Sequence, residues 1–262
     1  MPSAPVNGID LYYEISGPAE AHPVVFLHGA GGNHISWWQQ IPVFNQTYRC
    51  ISIDHRGFGR SSDPGGAGAV QFVDDLEALL AYLGIDRVAL VAQSMGGRTA
   101  LGFAVRYPGR VRALVMADTW GFFDWPEQLG RARALREQQP DASDPLLVRA
   151  VGPKFRRDEP LRTFLHQQVG GLNPPRAPST NVDPGAPKVE QVAALRVPVL
   201  MVEGAEDEVV PPPLMHAFHA LIPGSEYAEV PDAGHSLYFE DARQFNDLVG
   251  SFLARHLGGS RD

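Results

Sequence analysis

Val91-Ala92-Gln93-Ser94-Met95-Gly96-Gly97 decides the fold. The apolar run Val88-Ala89-Leu90-Val91-Ala92 leads into Ser94, and a helical pattern begins immediately after it. Small residues on both sides of the serine let the backbone turn abruptly from strand to helix, because the chain passes close to its neighbours there. Such a turn lifts the hydroxyl above the sheet edge and points the N–H groups of the new helix at any oxyanion formed beside it. The pattern is a nucleophile elbow, G-x-S-x-G, with Ala92 at its first position. A serine that only caps a helix leaves the same local trace, so the heptapeptide alone keeps both readings open.

Outward from the elbow, short β-branched runs alternate with helical patterns. Ile9 to Ile15, Pro23 to His28, Tyr48 to Ile53, Val111 to Ala117 and Val197 to Val202 read as strands. Near-continuous apolar strands are buried on both faces, as in a parallel sheet covered by helices. Phe72, Val73, Leu76, Leu79, Leu80 and Leu83 form a helical stripe ended by Gly84. Thr99 to Arg106 forms another, stopped at Tyr107-Pro108, and Ala242 to Leu257 a third. The expectation is an α/β fold with a mostly parallel, twisted sheet, helices on both faces and right-handed crossovers. Between Thr119 and about Glu190 the alternation breaks into helical patches, Gln128 to Gln139, Pro145 to Val151 and Leu161 to Val169, and the Pro-rich stretch Asn173 to Asn181. This predicts a core of residues 1–118 and 191–262 with a helical cap inserted at 119–190.

The 262 residues carry 22 Lys plus Arg against 30 Asp plus Glu, a net charge of −8. Such a balance argues against a nucleic-acid binder, which needs clustered cations. Cys50 is the only cysteine, so an intrachain disulfide is impossible and the thiol reads as buried and inert. The start lacks a basic n-region and an apolar h-region, so a signal peptide is not expected. No apolar stretch approaches the ~20 residues that span a bilayer. A cytoplasmic protein without membrane association is the expectation.

Three stretches bear on Ser94. His28-Gly29-Ala30-Gly31-Gly32 follows the early strand, where a second oxyanion donor is needed. Gly204-Ala205-Glu206-Asp207 follows a later strand, and Asp232-Ala233-Gly234-His235 follows the short strand Tyr227 to Val230. Ser, then Asp, then His is the order expected when acid and base loops close over an elbow serine. Together with Asp54-His55-Arg56-Gly57-Phe58-Gly59-Arg60-Ser61, similar to a D-x-R-G-x-G-x-S stretch, these residues resemble the α/β-hydrolase superfamily of the serine-nucleophile esterase, lactonase and C–C hydrolase type. The resemblance covers nearly the whole chain outside the cap. It implies Ser94 as nucleophile, His235 as general base and acid, Asp207 as the carboxylate that orients the imidazole, and the N–H groups of Ala30 and Met95 as the oxyanion hole.

Other residues compete for roles. Asp118 ends a strand where some family members place their acid; Asp232 reads as a turn residue and Asp54 as a loop anchor. His28 is expected to hold its loop by hydrogen bonding. His34 and Trp37 are candidates for the pocket rim, and Trp120, Phe122, Phe123 and Trp125 for an apolar pocket at the junction of core and cap. Arg98 reads as a structural ion-pair partner, and Arg131, Arg133 and Arg136 as charges on a solvated face. No two histidines have metal-ligand spacing with a carboxylate, so no metal is expected. Gly29 to His34 lacks the last glycine of a nucleotide fingerprint, so no cofactor is expected. The expected substrate is a small molecule with an acyl group, an ester or lactone. C–C bond hydrolysis or lyase chemistry on a carboxylate-bearing metabolite is the alternative, and a non-catalytic small-molecule receptor a third.

Overall fold

The computed structural model describes residues 2–139, 143–175 and 185–258. The strands are β1 (Ser3–Val6), β2 (Ile9–Ser16), β3 (Pro23–Leu27), β4 (Arg49–Ile53), β5 (Val88–Gln93), β6 (Val111–Ala117), β7 (Val199–Gly204) and β8 (Glu226–Val230). They form one sheet in the order β1-β2-β4-β3-β5-β6-β7-β8. β2 runs antiparallel to both neighbours, and every pairing from β4 to β8 is parallel.

β3, β5 and β7 are buried at every position, which is why they read as unbroken apolar runs. Successive side chains feed two separate cores. Val88, Leu90 and Ala92 pack on one face with α2 (Phe72–Tyr82) and α3 (Gly96–Arg106); Ala89 and Val91 pack on the other with the last helix. α1 (Ile41–Phe44) contributes Phe44 to the second core.

Between β6 and β7 the described chain forms α4 (Pro126–Glu137), α5 (Leu146–Arg149), α6 (Pro153–Asp158), α7 (Pro160–Gly171) and α8 (Val189–Ala193). The Pro-rich stretch from Asn173 to Asn181 lies, beyond residue 175, outside the described residues. This helical segment is tied to the core by hydrogen bonds: Asn33 Nδ2 donates to Val169 O at 2.9 Å, and Asn173 Nδ2 to Gly32 O at 3.1 Å. α9 (Pro212–Leu221), α10 (Leu237–Glu240) and α11 (Ala242–Leu257) complete the chain. No helix among the described residues is long and apolar enough to cross a membrane.

Most boundaries shift by a residue from the sequence expectation, and two larger shifts have a clear cause. β7 starts at Val199 rather than Val197, because Pro198 has no N–H to give the ladder. α3 starts at Gly96, three residues earlier than the apolar stripe indicates, since two glycines hide its first turn.

Candidate active site

Ser94 follows β5 at φ +47°, a left-handed conformation that strains any residue with a side chain. Close neighbours hold it there. A Cβ on Gly96 would lie 2.1 Å from Leu27 O, and one on Gly97 would lie 2.4 Å from Thr119 Oγ1, so only glycine fits either position. Ala92 is fully buried between Leu27 and Met116, and its methyl is accommodated where the elbow pattern has glycine.

Three loops at the carboxyl ends of β5, β7 and β8 bring the chemistry together. His235 Nε2 lies 2.8 Å from Ser94 Oγ, and His235 Nδ1 lies 2.8 Å from Asp207 Oδ2. The other Asp207 oxygen accepts N–H bonds from Val209 at 2.7 Å and Val210 at 2.8 Å. An acceptor-only carboxylate fixes the proton of the ring on Nδ1, which turns the Nε2 lone pair toward the hydroxyl. Asp118 does not reach the imidazole. Its carboxyl accepts N–H bonds from Gly204 at 3.1 Å and Leu237 at 3.3 Å, and burial, with Asp207 nearby, pushes its pKa well up.

The His235 loop is braced from two sides. Gln93 Nε2 donates to His235 O at 2.7 Å. The buried Glu240 carboxyl accepts from Gly234 N at 2.9 Å, Ser236 N at 3.1 Å and Gly152 N at 3.0 Å. Burial pushes Glu240 up to about 7 against the pull of those three donors. The opposite loop is set by His28. Its Nε2 accepts from His55 N at 3.0 Å, so its proton sits on Nδ1 and donates to Gly29 O at 2.8 Å.

A narrow cavity opens beside Ser94 Oγ. Ala30, Gly31 and Gly32 form one wall, Ser236 and Tyr238 another, and Leu146, Leu147, Ala150 and His166 close it from the helical segment. It encloses about 20 Å³, room for one water and far below a small-molecule site of several hundred Å³. Met95 stands directly before α3, next to Ser94 in the chain.

His166 was not singled out from sequence. It is buried, its Nε2 lies 3.1 Å from Ser236 Oγ, and its Nδ1 has no hydrogen-bond partner. Burial and the proximity of His235 push its pKa down to about 4, so it is neutral at physiological pH.

The residues expected at an aromatic pocket lie away from the cavity beside Ser94. His34 is held by the buried Asp54 carboxylate, with Nδ1 2.8 Å from Asp54 Oδ1 and its ring 4.7 Å from Tyr12. Trp37 is fully buried between Phe26 and Tyr238. Trp120 stacks on Phe122 at 4.3 Å, and Phe123 stacks on Trp125 at 5.0 Å while touching Phe218. These rings pack on one another and on the core, and none lines the cavity. Arg98 is buried with its guanidinium 5.0 Å from the Phe122 ring centre, where a cation–π contact forms. Arg131 and Arg133 make exposed pairs with Glu127 and Glu137, whereas Arg136 reaches Val209 O. Cys50 is buried, and burial pushes its thiol up to about 12.

The chain is similar to proteins that share this architecture. The family described as alpha/beta hydrolase fold matches residues 22–143. A 2-hydroxy-6-oxo-2,4-heptadienoate hydrolase of Pseudomonas putida is 30% identical over 248 residues, covering 89% of each chain. A solved structure of an N-acyl homoserine lactone degrading enzyme superposes with TM-score 0.79 at 28% identity, over 96% of this chain and 100% of that one. A thermophilic esterase from Thermogutta terrifontis superposes with TM-score 0.77 at 27% identity, over 97% of each chain. The protein belongs to the α/β-hydrolase-fold family and is a hydrolase of that fold.

Proposed function

We propose that this protein cleaves a carboxylic ester or lactone through an acyl-enzyme formed on Ser94. The observation that carries the reading is the continuous line from Ser94 Oγ through His235 to Asp207, with both contacts at 2.8 Å. Ser94 Oγ attacks the acyl carbon while His235 Nε2 takes its proton. The imidazolium is stabilised by Asp207, whose remaining oxygen is already saturated by two backbone donors and so stays in place. The N–H groups of Ala30 and Met95 receive the oxyanion, each worth on the order of 3 kcal/mol in the transition state. Collapse breaks the bond to the leaving oxygen, which takes the proton from His235; a water activated by the same imidazole then frees the acid.

The segment 119–190 serves as a cap, since Leu146, Leu147 and His166 form the roof of the cavity. With only about 20 Å³ enclosed, the two leucines must withdraw for an acyl group to enter. Among the described residues, no Lys or Arg lines the cavity. This favours an uncharged ester or lactone over the carboxylate-bearing substrate of a C–C hydrolase or lyase, which a buried cation would recognise. The names of the esterase and lactone-degrading neighbours support the same class.

The test replaces Ser94 by Ala and assays a short aryl ester, with a lactone and a vinylogous diketone in parallel. Turnover of ester or lactone by the parent, its loss in the variant, and labelling of Ser94 by an organophosphate are expected. Undiminished hydrolysis by the variant overturns the assignment, and turnover of the diketone alone overturns the substrate class.

A further inference from the structure

Away from Ser94, two glutamates sit directly opposite each other across the last pair of strands. Glu203 on β7 is in register with Glu229 on β8, an arrangement that destabilises a sheet when nothing neutralises it. Glu203 is fully buried, and its Oε2 has no hydrogen-bond partner. A buried carboxyl group is held protonated, paired with a cation or bound to a metal, and no Lys or Arg among the described residues forms an ion pair with either glutamate. Facing them are the Tyr227 hydroxyl and His216 of α9, whose Nε2 lies 3.2 Å from Glu229 Oε2. One donor atom from each of Glu203, His216 and Glu229 lies within 4.8 Å of the other two.

We propose that Glu203, His216 and Glu229 bind one divalent transition-metal ion of the zinc type at this edge of the sheet. One imidazole and two carboxylates are a zinc donor set, with water completing the tetrahedron. Tetrahedral donors at about 2.0–2.1 Å from a shared zinc stand about 3.3 Å apart. The His216–Glu229 separation already matches, and Glu203 offers an oxygen within 4.8 Å of both. The orphaned Glu203 oxygen gains the partner it lacks. His216 and Glu229 side chains are 54% and 38% exposed, so the ion enters from solvent. Tyr227 flanks the site, its hydroxyl hydrogen-bonded to Glu203 and 3.1 Å from Glu229 Oε2, and orients both carboxylates. Sequence spacing hides the cluster, because its ligands come from three separate elements.

The test titrates the full-length protein with Co²⁺, reading the visible d–d absorption and the metal bound per chain, and with Zn²⁺, reading Tm. One ion per chain is expected, with Tm rising by roughly 5–10 °C when free Zn²⁺ is about 100-fold above Kd. His216→Ala, at an exposed position, and the isosteric Glu203→Gln should each weaken binding at least tenfold. His256→Ala removes another surface histidine that faces a glutamate and should leave binding unchanged. Absence of binding by the parent, retention of affinity in His216→Ala or Glu203→Gln, or equal loss in His256→Ala overturns the proposal.

Discussion

Replacing Glu240 by Ala removes the acceptor that holds the base loop on both sides of His235 and joins it to Gly152. Three buried N–H groups lose their partner, and at roughly 2 kcal/mol each the gross cost is about 6 kcal/mol. Part of it is recovered. Burial holds Glu240 at about 7, roughly 2.5 units above an ordinary glutamate, so at pH 8 the variant is spared a desolvation cost of about 3 kcal/mol. The net loss at pH 8 is about 3 kcal/mol, or roughly 6–12 °C in Tm for a chain of this size. The activity should fall in kcat, because the loosened residues carry His235, and KM should rise with it, because Ser236 among them lines the cavity. Differential scanning calorimetry with ester kinetics on the same preparation measures both. Glu240→Gln retains one acceptor oxygen and should lie between parent and Ala. A Tm within 2 °C of the parent together with kcat within twofold would refute the assignment of Glu240 as the brace.

Asp207→Asn should leave Tm nearly unchanged and lower kcat by about 10⁴, since the amide no longer dictates the tautomer of His235; a loss below tenfold in steady-state ester assays contradicts the role given to that carboxylate. Gly96→Ala forces a methyl to within 2.1 Å of Leu27 O, so it should cost both stability and hydrolysis, and urea titration showing a parental midpoint would reject the close-approach argument. His166 titrates at about 4 when folded and near 6.5 when unfolded, so the unfolded chain binds the extra proton as pH falls from 6.5 to 4. The fold therefore loses about 3 kcal/mol over that window, all of it present above pH 6.5, and His166→Gln should lose correspondingly less. Parallel Tm-versus-pH curves for parent and variant would count against a neutral buried imidazole.

The strands were legible because burial on both faces leaves no polar positions to blur the pattern; β6 and α11 match their expected limits to the residue. β1 was not, since an edge strand of Ser3, Ala4, Pro5 and Val6 carries too little apolar signal. Ser94, Asp207 and His235 stand out in the sequence because each follows a strand in a fixed order, and the structure brings the three together. The roof of the cavity stayed hidden for a different reason. On α7 the buried positions are Thr163, His166 and Val169, while Leu161, Phe164 and Leu165 face outward. A helix whose polar side chain points inward inverts the rule by which periodicity assigns a core face, so His166 gave no sign. The aromatic cluster was ambiguous in the sequence, because ring composition says nothing about whether rings meet a ligand or one another; in the structure they stack in pairs.

Leu146 and Leu147 line the small cavity beside Ser94, which is too tight for a small-molecule ligand as it stands. Every ligand therefore competes with part of the enzyme itself, and its measured affinity is the intrinsic one multiplied by the fraction of molecules whose leucines have swung aside. The same two side chains are themselves partly exposed, so a longer or shorter residue at either position should change how readily a guest enters without touching Ser94.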